Sequence, residues 1–162
     1  MTFKKTMVAA SPSDAKGADL GGREPIVDRT RKLLRVALID DEVGVVRTLT
    51  TFLKKIANVV NRGATLDAEE AFELIQREKP DVVVTDLSFG HKIAGAILAE
   101  MIKTSDDPKI RAIKIVLLSA TINDLNTLAP AKIQYFDRII SKSGDQSTYP
   151  EVVHYIEELS KE

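Results

Sequence analysis

Five short apolar runs, each closed by a polar or charged residue and each followed by a segment of helical period, constrain this 162-residue chain more than any other feature. The first, Leu33-Leu34-Arg35-Val36-Ala37-Leu38-Ile39, stops at Asp40-Asp41-Glu42. Val59-Val60 is a short second run. Asp81-Val82-Val83-Val84-Thr85 ends at Asp86, Ile113 to Leu118 ends at Ser119, and Arg138-Ile139-Ile140-Ser141 leads to Lys142. Runs without polar alternation belong to strands covered on both faces. Between them, Val45/Val46, Leu49, Phe52/Leu53 and Ile56 recur at helical spacing, Asp67 to Ile75 opens with acidic residues and stops at Pro80, and Ile93 to Ile102 reads as a third helix. A weaker helical segment lies near Asn123 to Gln134. The last helix is expected to start at a capping box, Thr148-x-x-Glu151, with Pro150 in its first turn. Strand and helix alternating five times predict an α/β fold, a doubly wound parallel sheet with helices on both faces. Ligands of such sheets bind at the carboxyl ends of the strands.

Those ends bear Asp40, Asp41, Asp86, Ser119 and Lys142. Singly, each is an ordinary strand-end residue; together they bring three carboxylates, a hydroxyl and an ammonium to the one edge where a pocket forms. Two carboxylates held about 4 Å apart repel by roughly 4 kcal/mol at an effective dielectric near 20, so the cluster calls for a cation. Oxygen donors without His or Cys suit a hard ion, and a small hydrated site suits Mg²⁺ better than Ca²⁺. An aspartate in such a site can attack phosphorus to form an acyl phosphate while Lys and Ser hold the phosphoryl oxygens.

In order and spacing these pieces resemble the response-regulator receiver domain of two-component signalling, in its stand-alone, chemotaxis-regulator-like form. The resemblance covers residues 33 to 162. It rests on Val36-Ala37-Leu38-Ile39-Asp40-Asp41-Glu42, Ala68-Glu69-Glu70-Ala71, Pro80-Asp81-Val82-Val83-Val84-Thr85-Asp86-Leu87, Val116-Leu117-Leu118-Ser119-Ala120 and Ile140-Ser141-Lys142. It implies a flavodoxin-like five-stranded sheet of order 2-1-3-4-5 that sets Asp41 beside Asp86. It further implies Asp86 as phospho-acceptor, Asp40 and Asp41 as the acidic metal site with Asp86, and the backbone carbonyl of Ser88 as a further ligand to Mg²⁺. By the same resemblance Ser119 binds a phosphoryl oxygen, and Lys142 pairs with Asp86 or the phosphate.

The function so implied is a phosphorylation-controlled binding module, not an enzyme turning over an external substrate. A sensor histidine kinase or histidine phosphotransfer protein donates the phosphoryl group, and a downstream protein target reads the altered surface. Two other readings compete: a Mg²⁺-dependent phosphohydrolase with an aspartyl nucleophile, and a receiver used for protein contact without phosphorylation. Phosphohydrolases of that kind want Asp-x-Asp after the first strand, whereas Asp40 and Asp41 are adjacent; the retained acidic, Ser and Lys set speaks against the other.

The chain departs from the family after the acceptor. Asp86-Leu87-Ser88-Phe89-Gly90-His91-Lys92-Ile93-Ala94-Gly95 has no Met-Pro turn and runs one residue longer, Ser143 replaces the proline usual after the lysine, and Ile139 stands where an aromatic switch residue often sits. Ring reorientation is therefore not expected as the signal; a shift of Ala120 to Asn126 and of the Ile139 strand is. His91 reads as a solvated loop histidine and His154 as structural. Phe89 either covers the site or fills the core, and Tyr135 and Phe136 anchor the preceding loop.

Residues 1–32 hold seven basic and four acidic residues, two of six prolines and three of eight glycines, without periodicity, and read as a flexible basic tail. Of 23 basic and 24 acidic residues in the chain, 16 and 20 remain for residues 33–162, so the charge is segregated while the net is −1. That net charge argues against a generic polyanion binder, and the tail carries no helix-turn-helix pattern, so no DNA-binding output is expected. Without cysteine there is no disulfide or thiolate metal site. The apolar runs are far shorter than the ~18 residues a membrane span needs, and Met7-Val8-Ala9-Ala10 is too short for a signal-peptide core. A cytoplasmic protein with no membrane association is expected; its oligomeric state stays open.

Overall fold

A computed structural model describes residues 32–60, 67–90, 93–119, 125–126, 128–142 and 147–162. The strands are β1 (Leu34–Ile39), β2 (Ala57–Val59), β3 (Val82–Asp86), β4 (Lys114–Ser119) and β5 (Arg138–Ser141). The helices are α1 (Val43–Leu53), α2 (Ala68–Glu78), α3 (Ala94–Lys103), the single turns α4 (Pro108–Arg111) and α5 (Pro130–Ile133), and α6 (Thr148–Leu159). All strand pairs are parallel, in the order β2-β1-β3-β4-β5, as expected.

Side-chain alternation along the strands divides the core in two. Ala37, Ile39, Val83, Ile115 and Leu117 face α2 and α3, where Ala71, Ile75, Leu98 and Ile102 are buried. Val36, Leu38, Val82, Val84, Val116, Leu118 and Ile140 face α1 and α6, meeting Leu49, Leu53, Val152 and Ile156. With both faces covered, an unbroken Val/Ile/Leu run satisfies the strand wherever its residues point.

Local signals set both ends of α2. The Asp67 carboxylate accepts the Glu70 N–H at 2.8 Å at the start of α2, and Lys79 closes that helix in the left-handed region at φ 45° before Pro80. The second strand lies at Ala57–Val59 rather than at Val59-Val60; Val60 still donates to Val36 O at 3.0 Å. Ile56, expected on α1, belongs to the turn after it. The last helix starts at Thr148 as expected, with Ser147 as its N-cap residue. Thr148 lies inside α6 rather than at its cap and donates its hydroxyl to Ser141 O at 3.0 Å, while Glu151 pairs with Arg138 at 3.3 Å. Both side chains tie the helix to β5.

Of the segment expected as a tail, only Lys32 is described, and it lies 3.7 Å from Asp81. His91, Ser143 and most of the stretch Ala120 to Asn126 also lie outside the described residues.

Candidate functional site

The parallel register carries the carboxyl ends of β1, β3, β4 and β5 to one edge. Ile39 pairs with Thr85, Asp86 with Leu118, and Ser119 with Ser141, so each polar residue after an apolar run emerges beside the next. Asp40 is 3% exposed, Asp86 is half-buried, and Asp41 is exposed. One carboxylate oxygen from each of Asp40, Asp41 and Asp86 lies within 4.8 Å of the others.

Lys142 enters this cluster directly after β5. Its Nζ lies 3.0 Å from Asp40 Oδ2, 3.3 Å from Asp86 Oδ2 and 3.9 Å from Glu42 Oε1. Asp40, not Asp86, is thus its nearest partner, and Glu42, the last residue of the Asp40-Asp41-Glu42 run, is a third acidic neighbour to which the sequence pattern gives no role. The second oxygen of each inner carboxylate is held by backbone: Asp40 Oδ1 accepts the Glu42 N–H and Asp86 Oδ1 the Leu87 N–H, both at 2.8 Å. Asp41 Oδ2 accepts from the Gly90 N–H at 3.3 Å. With backbone donors on one side and Lys142 on the other, the inner carboxylates are fixed before any ligand arrives.

Burial pushes the Asp86 carboxyl above the usual carboxylate range; Lys142 opposes the shift and Asp40 adds to it. Burial alone would lower the Lys142 ammonium, but Asp40 and then Asp86 outweigh it and raise it. One ammonium therefore faces three carboxylates, and the donor set fits a hard divalent cation such as Mg²⁺.

Ser119 is 2% exposed at the end of β4, and its carbonyl accepts the Lys142 N–H at 2.6 Å. Ser88 is exposed on the loop after β3. Phe89 fills the core rather than covering the site: it is 1% exposed and packs with the α2 and α3 side. Phe136 is buried and Tyr135 packs against the same cluster, as anchors of the segment before β5. Ile139 is half-buried opposite Leu117. His154, expected to be structural, stands on the solvent face of α6, 3.2 Å from Glu158; its helix buries Val152 and Ile156 on the other side.

Gly95 is the neighbour that sequence reasoning missed. A Cβ there would overlap Asp86 O and stand 3.0 Å from Asp86 C and Leu87 Cα. A glycine opening the otherwise Ala- and Ile-rich helix was the available signal.

The response regulator receiver domain family model matches residues 36–154. The chain belongs to this family. Solved receivers share its architecture. A CheY-like receiver domain from Methylobacillus flagellatus matches with TM-score 0.61 and 18% identity over 77% of this chain and 99% of that one. A LuxR-family two-component response regulator from Aurantimonas matches with TM-score 0.63 and 23% identity over 80% and 86%. The phosphorylated cyanobacterial phytochrome response regulator RcpA matches with TM-score 0.60 and 24% identity over 80% and 95%. As a receiver domain, the chain is a signalling module of two-component systems. Among the described residues no helix is long and apolar enough to cross a membrane.

Proposed function

We propose that this receiver domain accepts a phosphoryl group on Asp86 from a histidine kinase or histidine phosphotransfer protein, in a Mg²⁺-dependent reaction, and passes the signal to a downstream protein by a changed surface. The observation that carries the reading is the convergence of Asp40 and Asp86 on Lys142, each with its second oxygen held by a backbone N–H. Asp86 ends the central strand and is oriented by Leu87 and Lys142, which leaves its carboxylate poised to attack phosphorus in line. Asp40, Asp41 and Asp86, with the Ser88 carbonyl, would hold the metal, which supplies charge neutralisation for the incoming phosphoryl oxygens. Lys142 sits where a phosphoryl oxygen on Asp86 would draw it from Asp40, and Ser119 offers a hydroxyl from the neighbouring strand end. Because Lys142 N donates to Ser119 O, movement of either residue is passed to the other and on to β5. That route, rather than a rotating ring at Ile139, would carry the signal. Such a module works where phosphohistidine proteins are found, in the cytoplasm.

Incubation with acetyl phosphate, with and without Mg²⁺, followed by intact mass and peptide mapping, tests the reading. One acid-labile phosphoryl group on Asp86, formed only with the metal, is expected. Acid-stable phosphate on Ser119, or continued turnover of the donor without an adduct on Asp86, would contradict it.

A further inference from the structure

We propose that Gly95, with Thr85, is a positioning residue for the acceptor, setting the Asp86–Leu87 peptide where the carboxylate can react. The inference rests on Asp86 being the acceptor. The Asp86 carbonyl and the Leu87 N–H belong to one rigid peptide plane, and that plane is held at three points. Its N–H binds Asp86 Oδ1 at 2.8 Å, its carbonyl accepts the Thr85 hydroxyl at 2.9 Å, and the same carbonyl lies against the Gly95 Cα. The next carbonyl, Leu87 O, accepts the Gly95 N–H at 2.9 Å. The start of α3 is thus pressed onto the backbone that aims the acceptor.

Space, not backbone conformation, demands glycine here. A methyl group at 95 would overlap Asp86 O, so either α3 retreats or the peptide plane tilts. The helix cannot readily retreat, because Ala94, Ala96, Leu98, Ala99 and Ile102 seat it against the sheet, each 3% exposed or less. Tilting the plane moves the Leu87 N–H, which displaces the carboxylate from its pairing with Lys142. Gly95 and Thr85 both act on the Asp86 carbonyl, the end of the plane opposite the Leu87 N–H that holds the carboxylate.

The test compares the wild type with Gly95→Ala, Thr85→Val and Ile102→Val. Ile102 lies two turns further along α3, so its variant loosens the same helix without approaching Asp86. Phosphoryl uptake from acetyl phosphate is measured against donor concentration, together with the Leu87 amide and Asp86 carbonyl shifts by NMR. A displacement of about 1 Å can cost on the order of a hundredfold in rate, so the maximal rate of Gly95→Ala is expected to fall about tenfold to a hundredfold with donor half-saturation unchanged. Thr85→Val, nearly isosteric in a buried strand, is expected to fall a few-fold in the same direction with a shifted Leu87 amide, while Ile102→Val stays within about twofold. Wild-type rates and Leu87 shifts in Gly95→Ala and Thr85→Val, or an equal loss in Ile102→Val, would overturn the proposal. Should Gly95→Ala not fold, Thr85→Val and its Leu87 shift decide. Should the wild type take up no phosphoryl group, the acceptor reading fails, and the Leu87 and Asp86 shifts still decide the positioning.

Discussion

Replacing Asp86 by Asn should make the metal-free protein more stable at neutral pH, although it removes an ion pair. At an effective dielectric near 20, Lys142 at 3.3 Å attracts the Asp86 carboxylate by about 5 kcal/mol. On the same scale, Asp40 and Asp41, each with an oxygen within 4.8 Å, repel it by at least about 3.5 kcal/mol each. Solvent reduces the contribution of exposed Asp41, so the pair interactions nearly cancel and the desolvation of Asp86 decides the sign. The raised pKa of Asp86, with burial as its leading cause, says that the ionised form is disfavoured in the fold. Asparagine keeps an oxygen for the Leu87 N–H and leaves Lys142 its shorter pair with Asp40. A gain of about 1 kcal/mol is expected in urea unfolding at pH 7 without Mg²⁺. A carboxyl whose folded pKa is raised contributes stability below its unfolded value of 3.8 that is lost as pH rises through the folded value. The advantage of the variant should therefore shrink as pH falls from 7 towards 4. Addition of Mg²⁺ should reverse the order by stabilising the wild type more. A variant less stable than the wild type at pH 7 in chelator, or an advantage that does not shrink in acid, would refute the argument that desolvation of the Asp86 carboxylate decides the sign.

Lys142→Met should cost the metal-free protein about 2–4 kcal/mol, because the buried Asp40 and half-buried Asp86 carboxylates lose their shared counter-ion; urea midpoints in chelator report it, and added Mg²⁺ should restore part of the loss. Asp137 accepts the Ile115 N–H at 2.9 Å and pairs with Lys103 and Lys114 at 3.1 and 3.3 Å, which outweigh burial and hold its pKa below the usual range. Its stabilisation is present above 3.8 and lost as pH falls through the depressed value, so Asp137→Asn should lower stability by about 1–3 kcal/mol at pH 7 and narrow that gap in acid melts below pH 4. Phe89→Ala should destabilise by about 3–5 kcal/mol, since the ring is 1% exposed within the α2 and α3 core; a thermal melt showing less than about 1 kcal/mol would return Phe89 to the role of a site cover.

Sequence alone determined the alternation of strands and helices, because a strand covered on both faces must be apolar throughout and a helix covered on one face must repeat near 3.6 residues. That pattern, with the resemblance its motifs carry, also yielded the sheet order and the set Asp40, Asp41, Asp86, Ser119 and Lys142, since strand-end residues in a parallel sheet share one edge. It could not decide which carboxylate Lys142 favours, a matter of fractions of an ångström between residues 102 positions apart. Nor could it weigh Phe89 between cover and core, because a loop aromatic has no period to read. The Thr148-x-x-Glu151 pattern marked the start of the last helix, but the ties of both side chains to β5 are made only by packing. Gly95 is the furthest from sequence: its need for a missing methyl group exists only where α3 crosses the Asp86 carbonyl, and that crossing is created by α3 packing onto the sheet in the core it shares with α2.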